Sequence, residues 1–380
     1  MIPGGQKLRL SGDRYTVDYL LTVDKEKTRA LAEHICYEQT VEFPGDLIPD
    51  GEIKNQIVGK IESLERIDKN RSVARISFAV EITGFEFTQF LNNLFGNISI
   101  LPGIRIIDIG IPESLLKISK GPRFGKQGIM KIFGVERPLI CTALKPLGMS
   151  ADELADQAYQ FAAGGIDLIK DDHGICNQAF SPFIERVEKC TEAVKKANQK
   201  YGTKTLYLPN ISGSTENIKK WAGTAKDTGA EGLVITPGLI GMDTMKFIAE
   251  DDSISLPVMA HPAFAGTYVV SKTNGISHGV LYGLLMRLAG ADMTIFPNFG
   301  GRFSFSKDEC LDIASNCRKQ FKGIKSILPA PGGGMTTDRL PEMIDAYGKN
   351  FVLLIGGGLH RHSDDIKRNT EYFRKMVEKI

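Results

Sequence analysis

The sequence lacks most of the features that mark specialised classes of protein. No apolar run reaches the length of a membrane span, and no block of like charges appears. Lysine plus arginine (47) nearly balance aspartate plus glutamate (45), for a net charge of +2. That leaves no basic excess to neutralise a phosphodiester backbone, so a nucleic-acid partner is not expected. The opening "MIPGGQKLRLSGDRYTVDYLL" has no charged-then-apolar signal pattern, and the expectation is a cytoplasmic protein without membrane attachment. The six cysteines (Cys36, Cys141, Cys176, Cys190, Cys310 and Cys317) form no Cys-X-X-Cys pair and read as buried free thiols in a reducing compartment. Low-complexity tracts are also missing, as is any internal repeat beyond a single recurring unit.

What is present is a recurring unit. From about residue 127 a short apolar run ends in glycine, proline or polar residues, and an amphipathic segment follows. The runs are "RPLICTALKP", "GIDLIKDD", "KTLYLPNIS", "GLVITPG", "LPVMAHPAF", "ADMTIFPNF", "SILPAPGGG" and "FVLLIGGG". Continuous apolar strands that alternate with helices indicate a parallel sheet covered on its other face. Eight such units predict a closed (β/α)8 TIM barrel over 126–380, ending in a helix over "SDDIKRNTEYFRKMVEKI". "SADELADQAYQFAAG" carries helical spacing with Ser150 as an N-cap. Residues 1–125 read as a smaller α+β domain of ferredoxin-like type. There "DRYTVDYLLTV" and "RSVARISFAVEI" alternate as strands, and "KTRALAEHICYEQ" and "FTQFLNNLFG" read as helices. The whole is α/β in class.

Barrels carry their chemistry at the C-terminal ends of the strands. Run two ends in Lys170, Asp171, Asp172 and His173. Side chains alternate along a strand, so Lys170 and Asp172 share a face and Asp171 points the other way. A Lys170–Asp172 ion pair that closes the barrel is one reading. The other is a metal site, which requires Lys170 to have reacted with CO2, because an ammonium has no lone pair. Lys145 ends run one, either as a partner for Asp172 or as a proton donor. His261 ends run five, as a buried satisfied histidine or a general base. The loop after run six carries Arg302. Runs seven and eight end in glycine triplets, where barrels build phosphate sites from bare backbone. Gly332, Gly333, Gly356 and Gly357 are the candidates. His34, His278, His360 and His362 have no such context and read as surface or structural.

These residues, taken in order, resemble a family: the large subunit of ribulose-bisphosphate carboxylase and, more closely, the RuBisCO-like (form IV) proteins. "EQTVEFPGD" and "NNLFGN" are similar to its N-terminal domain and "GPRFGKQGIMKIFGVERPLICTALKP" to its entry into the barrel. "GGIDLIKDDHG", the loop after run six and both glycine triplets follow in the family's order. The resemblance implies that Lys170 is a carbamylated metal ligand, with Asp172 and His173 as the other two. It implies Mg2+, with Mn2+ or Zn2+ not excluded, and CO2 as the lysine carbamate. Lys145 is then the active-site lysine and His261 a catalytic-region histidine. Glu38 and Asn97 match residues that complete the neighbouring subunit's site, which implies a homodimer or an oligomer of dimers.

The departures from the carboxylase pattern set the expected chemistry. His173 stands where carboxylases have glutamate, Leu147 where they have a second lysine, and Pro331 where they have serine. The positions that hold a second phosphate fall at Pro262 and about Ile295, neither of which is cationic. The expectation is therefore a singly phosphorylated substrate and no true carboxylase activity. The branch resembled acts on 3-oxo-isoapionate 4-phosphate in sugar-acid catabolism, which implies a magnesium-dependent lyase that decarboxylates, or transcarboxylates and hydrolyses, with Arg302 holding the substrate carboxylate. The alternatives are a methionine-salvage-type enolase or isomerase of a methylthio-sugar phosphate, and a non-catalytic metabolite-binding homologue.

Overall fold

The computed structural model describes residues 7–303, 305–334 and 337–380. The chain forms two compact units. One contains the chain up to Lys120 together with Gly266–Leu281 and Phe321–Gly323; the other contains Gly121–Ala265, Tyr282–Gln320 and Ile324–Ile380.

The first unit is built on β1 (Arg14–Thr22), β2 (Lys60–Arg66), β3 (Arg71–Ala79) and β4 (Ile104–Gly110). Strict alternation in β1 buries Tyr15, Val17, Tyr19 and Leu21, as the sequence predicts for a sheet with one covered face. β1 pairs antiparallel with β3 along its whole length and with β4 on its other side. The charged β2 forms one edge, where lysine, glutamate and arginine discourage further pairing. At the other edge the two-residue strand Gly275–Ile276 pairs in parallel with β4. Nothing in the sequence marks that pairing, because only chain return brings the two segments together. The expected helices form at Lys25–Glu38 and Phe87–Phe95. The Tyr19 hydroxyl donates to Leu94 O at 2.9 Å, and Phe90 meets Tyr15 edge-on, so the second helix packs on the sheet's buried face.

The second unit is the (β/α)8 barrel. Its strands are β5 (Leu139–Leu144), β6 (Leu168–Asp171), β7 (Leu206–Leu208), β8 (Leu233–Ile235), β9 (Val258–Ala260) and, after Gly275–Ile276 (β10), β11 (Met293–Pro297), β12 (Leu328–Gly332) and β13 (Val352–Leu354). Each falls inside one of the eight apolar runs. All ladders are parallel: β13–β5–β6–β7 form one half and β8–β9–β11–β12 the other. Asn210 bridges to Val234 to join β7 to β8, and a Cβ on Gly332 would stand 2.9 Å from Leu354, so β12 abuts β13. Alternate residues point inward and fill the interior: Leu139, Cys141, Leu168, Leu208, Val234, Met259, Met293 and Ala330 among them. Outside, the helix Ala151–Ala163 opens on a capping box in which Ser150 and Glu153 bond each other's backbone N–H, as its sequence predicts. Five of the six cysteines are buried free thiols; Cys176 is only partly covered, which corrects the expectation for that one. No helix among the described residues is long and apolar enough to cross a membrane.

Candidate functional site

Inward parity determines what reaches the barrel mouth. Leu168 lies in the core, so Lys170 and Asp172, two and four residues on, face the same way. His261 follows Met259 on β9 by the same count, and Thr236 follows Val234 on β8. Ile235 pairs with Ala260, so Thr236 and His261 lie side by side at the strand ends. The Thr236 hydroxyl is buried, with no hydrogen-bond partner among the described residues.

The carboxylate of Asp172 is the hub. Its Oδ1 pairs with Lys145 Nζ at 2.9 Å, and its Oδ2 lies 3.5 Å from His173 Nδ1. Burial opposes its ionisation, but the His173 contact and the Lys170 and Lys145 ammonium groups outweigh that and hold it well below the usual carboxylate range. Of the two ion-pair readings open in the sequence, the structure thus selects Lys145 as the partner of Asp172. Lys170 is 2% exposed, and its Nζ donates to Asp171 O at 2.9 Å. Burial pushes its pKa down, which favours the neutral amine. Lys145 is fixed by its backbone: its N–H donates to Gln157 Oε1 at 2.9 Å, and Gln157 Nε2 donates back to its carbonyl at 2.6 Å.

The rings of His173 and His261 stack at 4.2 Å and 13°. Burial, together with the Lys170, His173 and Lys145 charges, holds His261 well below the usual histidine pKa. Its Nδ1 accepts the Ala263 N–H at 3.2 Å, so in the neutral ring the proton sits on Nε2. That makes His261 a hydrogen-bond donor toward the mouth rather than a proton acceptor.

The glycine candidates divide. A Cβ on Gly332 would press on the Leu354 side chain at 2.9 Å, and Gly333 has a left-handed φ of +87°. At Gly356 and Gly357 a Cβ would meet nothing within 4 Å, so the bare backbone there borders open space. The exposed loop after β11 touches the first turn: Arg302 N donates to Gly333 O at 3.2 Å, and the Phe303 ring lies against Gly333. The Arg302 guanidinium sits 4.8 Å from the Phe303 ring centroid and has no carboxylate partner among the described residues. In the first unit, Asn97 Nδ2 donates to Glu38 Oε1 at 2.9 Å, which brings the two N-terminal candidates together.

Sequence reading passed over three residues. Gln157 is a buried polar group in the middle of a helix, with no local signal. Asn210, fully buried at the end of β7, lies in a run read only as a strand. His360, set aside as surface or structural, is half-buried edge-on to Phe161, with Nε2 buried and unpartnered. Its place two residues beyond the second glycine triplet was the available signal.

Residues 126–378 match the family model for the ribulose bisphosphate carboxylase large chain, catalytic domain. The chain belongs to this family. The chain is 35% identical to a ribulose bisphosphate carboxylase-like protein of Rhodopseudomonas palustris, covering 96% of this chain and 98% of that one. It is 36% identical to the 5-methylthioribulose-1-phosphate isomerase of Rhodospirillum rubrum, covering 96% of each. Among solved structures, a RuBisCO-like protein from Rhodopseudomonas palustris superposes with a TM-score of 0.88 at 36% identity, covering 97% of this chain and 99% of that one. The octameric carboxylase of Pyrococcus horikoshii superposes with a TM-score of 0.90 at 25% identity, covering 98% of this chain and 89% of that one. The chain is therefore a RuBisCO-like member of an enzyme family.

Among the described residues no three His, Cys, Asp or Glu side chains converge as a metal cage. Asp172 and His173 supply an oxygen and a nitrogen donor side by side. Lys170, buried at the same strand end, would supply the third donor as a carbamate, because a free ammonium has no lone pair. With that modification the residues fit a hard divalent cation such as Mg2+.

Proposed function

We propose that this protein forms an enolate or enediolate on a singly phosphorylated keto sugar or keto sugar acid at the barrel mouth. The observation that carries the reading is the Lys145–Asp172–His173–His261 cluster, with buried Lys170 beneath it. A divalent cation on Lys170 carbamate, Asp172 and His173 would supply charge neutralisation to a developing oxyanion. Lys145, once released from Asp172, carries protons to and from the substrate carbon. His261 donates from Nε2 to the same oxyanion without changing charge. Open backbone at Gly356 and Gly357, beside the Gly333 turn, takes the phosphate. Pro262 offers no cation for a second phosphate, and Ile295 is buried in the core, which argues against a bisphosphate substrate.

On 3-oxo-isoapionate 4-phosphate the step is either decarboxylation or transcarboxylation and hydrolysis; in the decarboxylation the substrate carboxylate leaves as CO2. The carbon–carboxyl bond breaks, its electron pair moves to the ketone oxygen, and Lys145 protonates the resulting enediolate carbon. Arg302 holds the departing carboxylate, because it is a cation without a carboxylate partner. A second reading is favoured by the names of the relatives and by the apolar side chains on the mouth loops. Leu147, Leu239, Phe264 and Phe303 are all exposed there, as a substrate with a methylthio end requires. That reading is enolisation or isomerisation of a methylthio-sugar phosphate. Glu38 and Asn97 complete the site of a second copy in a homodimer or a larger assembly.

Turnover is measured with Mg2+ and bicarbonate on four substrates: 3-oxo-isoapionate 4-phosphate, 5-methylthioribulose 1-phosphate, 2,3-diketo-5-methylthiopentyl 1-phosphate and ribulose bisphosphate. Turnover of one of the first three, abolished by Lys170→Ala, supports the proposal and names the substrate. Carboxylation of the bisphosphate refutes it. Ligand binding that survives Lys170→Ala, with no turnover of any substrate, establishes the non-catalytic alternative.

A further inference from the structure

Asp171 is turned away from the mouth, and it stands at the centre of a buried polar network. Its Oδ2 accepts Arg186 Nε at 3.1 Å and the Asn210 backbone N–H at 2.9 Å; its Oδ1 accepts the Tyr207 hydroxyl at 2.8 Å. Asp171, Arg186 and Asn210 are all 0% exposed and Tyr207 is 1% exposed. The network draws on β6, β7 and the helix Phe183–Tyr201, so it is anchored on three elements.

The outward bonds of this network converge on the loop that carries His173. Asn210 Nδ2 donates to His173 O at 3.1 Å and to Ile175 O at 2.9 Å, while Asn210 Oδ1 accepts Ser212 N–H at 3.0 Å. Arg186 donates to Ser181 O at 3.0 Å and to Cys176 O at 2.8 Å. Within the loop, Ile175 N–H donates to Asp172 O at 3.0 Å. The His173 side chain itself is exposed, and among the described residues only the Asp172 contact and the ring stack orient it. Its direction is therefore set by its backbone, and Asn210 holds that backbone. A buried ion pair of this kind adds little net stability over an apolar replacement, so stability alone does not account for it.

We infer that Asn210, braced by Asp171, is a positioning residue that fixes the Asp172–Ile175 backbone and aims Asp172 and His173 into one donor set. This rests on the reading of Lys170, Asp172 and His173 as the metal cradle. Outer residues that orient metal ligands commonly change metal affinity by about 10- to 100-fold when removed.

The test compares the parent with Asn210→Ala and with the milder Tyr207→Phe, which removes one bond to Asp171 and keeps Asn210. Two readouts are taken: hydrogen exchange at the Ile175 amide in the metal-free protein, and Mn2+ affinity in bicarbonate. The expected result for Asn210→Ala is exchange faster by about tenfold or more and Mn2+ binding weaker by about 10- to 100-fold. Tyr207→Phe moves both in the same direction by less, and it decides the matter if Asn210→Ala does not fold. A lowered melting temperature with unchanged exchange and unchanged Mn2+ affinity shows a merely structural role and overturns the inference. A parent that binds no Mn2+ overturns the metal reading instead, and the Ile175 exchange then decides by itself whether Asn210 fixes the loop.

Discussion

Replacing Asp167 by alanine would strike the closed end of the barrel, opposite the candidate site. The Asp167 carboxylate accepts Arg137 Nη1 at 2.7 Å and Nη2 at 2.8 Å, the Ile140 N–H at 2.8 Å and Arg374 Nη1 at 2.9 Å. It thereby ties the starts of β5 and β6 to the C-terminal helix. Arg374 keeps Glu378 and the Gly165 carbonyl when Asp167 is removed, so its loss is small. Arg137, 7% exposed, keeps only the Pro138 carbonyl among the described residues. Breaking a buried pair by removing one partner costs about 3–5 kcal/mol, and the orphaned Ile140 N–H belongs to the same loss. The expected destabilisation is about 4 kcal/mol. The single tryptophan, Trp221, reports on the barrel because it lies in that unit, stacked on Phe183 at 4.7 Å. With a urea slope of about 3 kcal/mol/M, its unfolding midpoint should fall by somewhat more than ~1 M. Arg137→Met combined with Asp167→Ala should recover part of the loss, because no charge is then stranded. Mn2+ affinity of the folded variant should be unchanged. A midpoint shift below about 0.3 M, equivalent to roughly 1 kcal/mol, would refute the argument that this carboxylate neutralises a buried guanidinium.

Gly238→Ala places a Cβ 2.5 Å from Ala263 O, pushing on the turn that follows His261. Turnover should fall by more than the accompanying loss of about 1–3 kcal/mol in stability explains, with kcat and chemical denaturation measured side by side. Asp292 accepts three backbone N–H groups, but burial outweighs them and pushes its pKa up to about 6 from 3.8. An acid raised in the folded state contributes stability below pH ~4 that is lost as pH rises through ~6, by about 3 kcal/mol. The stability difference between Asp292→Asn and the parent should therefore shift in the variant's favour across that window, and a pH-independent difference would contradict it. Treatment with a chelator should abolish turnover, and Mg2+ should restore it only when bicarbonate is present; restoration without bicarbonate would exclude a carbamate on Lys170.

The barrel was legible because its information is local. Each strand is a short apolar run buried on both sides, and each is followed by a helix-forming segment, so β5 to β9 and β11 to β13 could be read one by one. Ser150 and the helix it caps were legible for the same reason. Alternation along a strand fixed that Lys170 and Asp172 share a face and that Asp171 does not, since a period of two follows from backbone geometry alone. By contrast, the Gly275–Ile276 pairing with β4 depends on residues far apart in sequence meeting, and no local pattern encodes it. Gln157 and Asn210 are not legible in the sequence, because a buried polar side chain in a helix or at a strand end looks like any other until its partners are known.

Fold class and the inward face of each strand follow from propensity and periodicity, which are properties of neighbouring residues. The list of charged groups at the strand ends is equally local. Which of them touch is a matter of packing: Asp172 pairs with Lys145, His173 stacks on His261, and Asn210 bonds the backbone of the loop that carries His173. Those choices depend on distances between strands from different parts of the chain.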